Sequence, residues 1–148
     1  MQDIKDGKIR HYFAGIYTIQ SNTSLHDNSW VLDTGCSIHI CSDLEGLKRS
    51  RDVEHRKINL IMGNRKVSPV TKIGVYSLLL SSGLNLVLNN CCYSSDMEKN
   101  IISFHGLYEQ GFTFSFNNMI RGINAYYNVK FYFEALPCNG IYETVMVV

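Results

Sequence analysis

Three consecutive residues, Asp33-Thr34-Gly35, concentrate the most chemistry in this chain. They follow the apolar run Trp30-Val31-Leu32, so the carboxylate is expected at the end of a buried strand, in a low-dielectric setting. Gly35 lets the backbone turn tightly and approach a neighbour. The Thr34 hydroxyl can hydrogen-bond across to a second copy of the same loop. Two such loops face to face bring two carboxylates together; both cannot ionise cheaply, so they share one proton. The neutral acid can then polarise a peptide carbonyl while the charged one activates a water. Only one such motif occurs in 148 residues, so the pair requires a second chain related by a two-fold axis. The plainer reading is that Asp and Gly end strands as ordinary turn residues.

A second set of reactive side chains follows at once: Cys36, His39 and Cys41, in a Cys-x2-His-x-Cys pattern. A structural zinc needs a fourth ligand, from Cys91, Cys92, Cys138 or a distant His. The spacing matches no established finger, so no metal and no cofactor is assigned. Cys36, Cys41 and Cys91 are read instead as small core hydrophobes, and His39 as packing or hydrogen-bonding near the Asp33 loop. Lys48-Arg49-Ser50-Arg51 and His55-Arg56-Lys57 carry interspersed acids and read as a solvated face rather than an RNA site. Tyr126, Tyr127, Phe131, Tyr132 and Phe133 are expected in core and interface.

The elements that must position these residues are mostly strands. Thirteen Asn and eleven Gly punctuate the chain, with short runs rich in Val, Ile, Tyr, Phe and Leu between them. Residues 1–28 read as a lead-in and linker, with one apolar run from Tyr12 to Ile19. A strand is expected at Trp30 to Asp33, extended chain again at Ile38 to Cys41, and a loop over 42–55. Lys57 to Met62, with Ile58, Leu60 and Met62 on one face, should form a hairpin with Lys66 to Val70 around Gly63-Asn64. Pro69 lacks an N–H, which places that second strand at an edge. Gly74 to Leu80 and Leu84 to Leu88 flank a turn at Ser81-Ser82-Gly83. Ser95 and Glu98 have capping-box spacing, and Ile101, Ile102, His105 and Tyr108 follow at helical intervals up to a stop at Gly111. Phe112 to Phe116, Val129 to Phe133 and Ile141 to Val148 are further strands. The sum is an all-β fold of hairpins with one short helix, closed into a small barrel. It spans residues 29–120, and residues 121–148 lead into a following segment.

Composition sets the outer bounds. A chain of this length makes one domain and buries roughly 70% of its unfolded surface without disulfide staples. Fourteen Lys and Arg against 13 Asp and Glu give a net charge of +1, which argues against an extended nucleic-acid surface. Five Cys is an odd number, ill suited to a secreted disulfide framework. No apolar stretch approaches a membrane span, and residues 1–10 lack the apolar core of a signal peptide. A reducing, cytoplasmic setting is the expectation.

Trp30-Val31-Leu32-Asp33-Thr34-Gly35-Cys36-Ser37-Ile38-His39-Ile40-Cys41 resembles the protease segment of copia-type LTR-retrotransposon Gag-Pol polyproteins, particularly those of plants. The similarity continues through Ile61-Met62-Gly63-Asn64, Leu86 to Tyr93 and Lys99-Asn100-Ile101-Ile102-Ser103. It ends at Asn139-Gly140-Ile141-Tyr142, which resembles the junction to the pre-integrase segment. It covers roughly residues 10–148. The resemblance implies a retropepsin-like β-barrel, acting as a homodimer on the element's own polyprotein. Asp33 would be the catalytic aspartate, Thr34 and Gly35 its loop partners, and Met62, Gly63, Asn64 and Arg65 the substrate-binding flap. It implies a second copy of the chain and a polyprotein or peptide substrate as partners, with no membrane and no direct nucleic-acid contact, in the cytoplasm or in the element's particle. The competing class is a non-cleaving β-barrel remnant with a structural or interaction role.

Overall fold

The computed structural model describes residues 12–16, 29–54, 57–62 and 65–145. Gly63 and Asn64, at the expected flap tip, lie outside the described residues. So does most of the 1–28 lead-in, apart from strand β1, Tyr12–Ile16.

The organising strand is β2, Ser29–Asp33, in which every residue is buried. Its alternation sends Trp30 and Leu32 into one hydrophobic cluster and Val31 into a second on the opposite face. Covered on both faces, β2 reads as a continuous apolar run, as such strands do. One neighbour is β9, Asn100–Ser103, parallel, with Asp33 opposite Ser103. The other is β13, Ile141–Val145, antiparallel, with Tyr142 opposite Leu32. Beyond β9 lie β3, Ile40–Cys41, then β8, Asn85–Tyr93, β7, Lys72–Leu79, and β4, Leu47–Asp52. Beyond β13 lie β12, Lys130–Cys138, β11, Gly122–Tyr127, and β10, Thr113–Asn117. The result is one ten-stranded sheet in the order β10-β11-β12-β13-β2-β9-β3-β8-β7-β4.

The described residues are therefore mostly β with one short helix, but the expected barrel does not close. The sheet ends at β10 on one side and β4 on the other. The β4 end is built against further pairing. Only Leu47 points inward, while Lys48, Arg49, Arg51 and Asp52 are exposed. Arg49 adopts φ 49° where the β4–β7 register shifts between Lys48 and Arg51. Charges and a bulge are the usual protection of an edge. The same observation revises the loop expected over 42–55: an edge strand with charged residues facing both ways shows no alternation to read.

A second, three-stranded sheet holds β1 parallel to β5, Ile58–Met62, which pairs antiparallel with β6, Val67–Pro69. This is the expected hairpin, with Asn59 opposite Pro69 and Ile61 opposite Val67, and it puts Pro69 on an edge strand. The β7–β8 hairpin also has its expected turn. Gly83 N–H donates to the Leu80 carbonyl at 3.0 Å, and Gly83 takes φ 86°.

The helix differs from expectation. The capping box at Ser95 opens no helix, and Ile101 and Ile102 lie in β9. Helix α1 spans only Phe104–Glu109, with Ser103 as its N-cap. The physical reason is burial on two sides: Ile101 and Ile102 are both fully buried, one in each cluster, while β9 pairs with β2 and β3. The expected stop does hold. Gly111 adopts φ 103°, its N–H reaches the Tyr108 carbonyl, and Phe112 N–H reaches the Leu107 carbonyl, both at 3.0 Å. That is the Schellman pattern, with Leu107 and Phe112 together in the core beneath it.

Asn139-Gly140, expected at a junction, forms a two-residue hairpin turn with φ 51° and 85° between β12 and β13. No helix among the described residues is long and apolar enough to cross a membrane.

Candidate functional site

Strand β2 ends in Asp33, whose side chain is buried at 4% exposure. Gly35 N–H donates to Asp33 Oδ1 at 2.7 Å, closing a tight turn that fixes the carboxylate. Thr34 and Gly35 themselves are exposed. The structure thus joins three of the expected residues in one turn, its carboxylate turned inward and its two following residues facing out. Trp30, three residues earlier, anchors the strand. Its ring meets Tyr76 edge-on at 4.9 Å, and the Tyr76 hydroxyl donates to Asp43 Oδ1 at 3.0 Å.

Beside this turn lies a buried polar network. Ser103, opposite Asp33, is fully buried, and its hydroxyl donates to the Cys36 carbonyl at 2.7 Å while accepting from Gly106 N–H at 2.9 Å. One hydroxyl therefore caps α1 and holds the exit of the Asp33 turn. Ser103 N–H donates to His39 Nδ1 at 2.9 Å. That bond assigns the neutral tautomer: Nδ1 accepts, so Nε2 carries the proton and faces Gln110 Oε1 at 3.4 Å. Burial lowers the His39 pKa to about 4, only partly offset by Gln110. Gly106 is required by this contact, since a Cβ there would stand 2.8 Å from His39 Nε2. His39 thus hydrogen-bonds near the Asp33 loop, as expected. Ser103 and Gln110 were not legible in advance. The signal for Ser103 was a polar residue ending the apolar pair Ile101-Ile102, and it was masked by the capping-box match upstream.

Cys36, Cys41, Cys91 and Cys92 sit in apolar surroundings, in the two hydrophobic clusters. Cys36 is buried, with its thiol donating to the Ile38 carbonyl at 3.1 Å, and burial pushes its pKa up to about 12. Cys91 is raised by its hydrogen bond with Cys41 and by burial, and burial pushes Cys92 to about 12. Protonated thiols of this kind are poor nucleophiles and poor metal ligands. No cluster of three or more His, Cys, Asp or Glu able to hold a metal occurs among the described residues.

The flap residues lie on a different unit. Met62 ends β5, and Arg65 is exposed with φ 66° at the start of the return to β6. Met62 belongs to the three-stranded sheet and Arg65 to the connection between two of its strands, whereas Asp33 belongs to the ten-stranded one.

A family model described as "Pol polyprotein, beta-barrel domain" matches residues 30–112, from the anchor Trp30 to the close of the α1 cap at Phe112. The chain belongs to this family. No curated protein and no solved structure matches it. The Pol polyprotein domain so defined contains the Asp33 turn, the β5–β6 hairpin, β9 and α1. Strands β10 to β13 lie beyond the match, although β13 flanks the site strand directly.

Proposed function

We propose that this domain is one half of an aspartic endopeptidase of a copia-type retrotransposon polyprotein. Two copies would pair so that Asp33 from each shares one proton, and the pair would cleave the Gag-Pol chain, in the cytoplasm or in the element's particle. One observation carries the reading. Asp33 ends a fully buried strand with its carboxylate pinned by Gly35 N–H, while Thr34 and Gly35 remain exposed for a mate. Membership of a Pol polyprotein family supports the choice of substrate class. In this reading Thr34 and Gly35 support the dyad, and Met62, Gly63, Asn64 and Arg65 close over the peptide. The domain would need no cofactor, membrane or nucleic acid.

The test is incubation of the purified chain with a longer Gag-Pol substrate beside Asp33→Asn. Loss of the acid–base pair is expected to slow cleavage by about 10²–10⁴-fold without abolishing dimerisation. A shared proton also requires a bell-shaped rate profile at mildly acidic to neutral pH.

The alternative is a non-cleaving structural domain. It is favoured by the Asp33–Gly35 bond itself, which any strand-ending Asx turn can make. Dimerisation without cleavage, with Asp33→Asn indistinguishable from the parent, would establish that alternative.

A further inference from the structure

Among the described residues, strand β8 is paired along one side only over Asn85 to Asn89. The bond from Leu80 N–H to the Leu84 carbonyl sets the alternation of the β7–β8 ladder, so Leu86 and Leu88 direct their backbone groups at β7. Asn85, Val87 and Asn89 direct theirs the other way. On that side β3 reaches β8 only at Cys92 and Tyr93, beyond a bulge at Asn90, which has φ 53°.

The gap is filled at one position, by a side chain. Gln110, the C-cap residue of α1, donates from Nε2 to the Val87 carbonyl at 2.9 Å and accepts from Asn89 N–H on Oε1 at 3.3 Å. Those are the two bonds that one residue of a neighbouring parallel strand would make. The next equivalent position, between the Asn85 carbonyl and Val87 N–H, has no such partner among the described residues. It opens into a groove of about 300 Å³. The wall opposite the edge is aromatic: Phe112 meets Tyr127 and Tyr132 at ring separations of 5.2 and 5.1 Å. Among the described residues, no charged side chain lines the groove.

We propose that this groove takes an extended peptide segment from another polypeptide, by strand addition to β8. The peptide runs parallel to β8. One of its residues donates to the Asn85 carbonyl and accepts from Val87 N–H, and a neighbouring uncharged side chain rests on the Phe112-Tyr127-Tyr132 wall. Unpaired edge groups supply the main-chain recognition, and the ring pocket supplies side-chain preference. The absence of lining charge selects a neutral segment, because a charged side chain would lose solvation there without a partner.

The test uses the whole chain and the blocked neutral peptide acetyl-Thr-Phe-Thr-Val-Thr-amide, followed by amide NMR. Saturable binding is expected, with the largest shifts at Asn85 and Val87 and slowed hydrogen exchange at the Val87 amide. Val87→Pro removes that donor yet leaves the β7 ladder intact, since Val87 N–H points away from β7; at least tenfold weaker binding is expected. Should that variant fail to fold, peptides N-methylated one residue at a time, read against the unaltered protein, answer the same question. One methyl position should cost at least tenfold.

Absence of saturable binding, or binding indifferent to both changes, overturns the proposal. So does a Val87 amide already protected in the free chain, which means the chain fills its own edge, or protection that grows with protein concentration, which means β8 pairs with a second copy. The readout is binding and not hydrolysis, so its failure is separate from any failure of the Asp33→Asn experiment.

Discussion

The two flanks of β2 hold the same strand by different means. On the β9 side, a compact set of buried polar groups locks the turn after Asp33: the Ser103 hydroxyl, the His39 ring and the Cys36 carbonyl. On the β13 side, the partner is an antiparallel ladder from Tyr142 to Val145, with Ile141 buried in the second cluster. The first flank lies inside residues 30–112, which match the family model, and the second lies outside them. A site strand can thus depend on a segment that carries none of the family signature. Local polar locks fix where a carboxylate points; the long-range ladder decides whether its strand is buried at all.

The largest expected effect tests that dependence. A chain ending at Ile120 keeps Asp33, Ser103 and His39 but loses β11 to β13. It removes Ile123, Phe133 and Ile141 from the core and leaves β2 as an open edge. Each such side chain contributes about 1.5–3 kcal/mol on burial. Three of them approach the whole stability of a typical domain, about 5–15 kcal/mol. The truncated chain is expected to show no cooperative urea transition by circular dichroism. A transition at the parent's midpoint would mean that residues 29–120 fold alone and that β13 is an accessory.

The second expected effect isolates the polar flank. His39 is held neutral in the folded state, with a pKa of about 4 against an ordinary 6.5. Below 6.5 the unfolded chain takes up a proton that the folded chain refuses. Stability conferred above that pH is therefore lost progressively as pH falls from 6.5 to about 4, and no further below it. The full loss is about 3 kcal/mol. His39→Asn, whose Oδ1 falls where Nδ1 accepts from Ser103 N–H, should be less sensitive over this window. Urea midpoints of both chains at pH 7, 5.5 and 4.5 decide it, and equal losses in the two would remove His39 as the cause.

How far these flanks could be read in advance follows from the residues themselves. Trp30 to Asp33, the turn at Ser81 to Gly83 and the edge position of Pro69 were legible because each depends on neighbours in sequence. Asn100 to Ser103 was not. Two adjacent isoleucines fit one face of a helix and a doubly buried strand equally well, and only the pairing with β2 separates them. Leu47 to Asp52 hid because a charged edge strand has no apolar alternation. Asn139-Gly140 carried a strong hairpin signal that a junction reading displaced, so β13 was not seen returning to β2. In the candidate site, Asp33, Thr34 and Gly35 announce themselves by type. Ser103 and Gln110 cap α1 locally, but their part in the site rests on partners far away in sequence, Cys36 and Val87 among them.

The smallest expected effect sharpens the contrast within the C-terminal flank. Two of its hairpins have two-residue turns with both residues at positive φ. Asn139-Gly140 uses the residue that accepts this backbone freely, whereas Asn128-Val129 places a β-branched residue at φ 66°. Val129 is 97% exposed, so its side chain gains no packing in return. Left-handed backbone costs a non-glycine residue roughly 1–2 kcal/mol. Glycine removes that strain but adds freedom to the unfolded chain, offsetting about 0.4–1 kcal/mol. Val129→Gly is therefore expected to stabilise the protein by about 0.5–1 kcal/mol, read as a higher urea midpoint with an unchanged slope. Gly140→Val, its mirror image, should destabilise by at least as much. A loss of stability in Val129→Gly would show that this valine has contacts the exposed turn does not reveal, and that the β13 flank is held by more than its ladder.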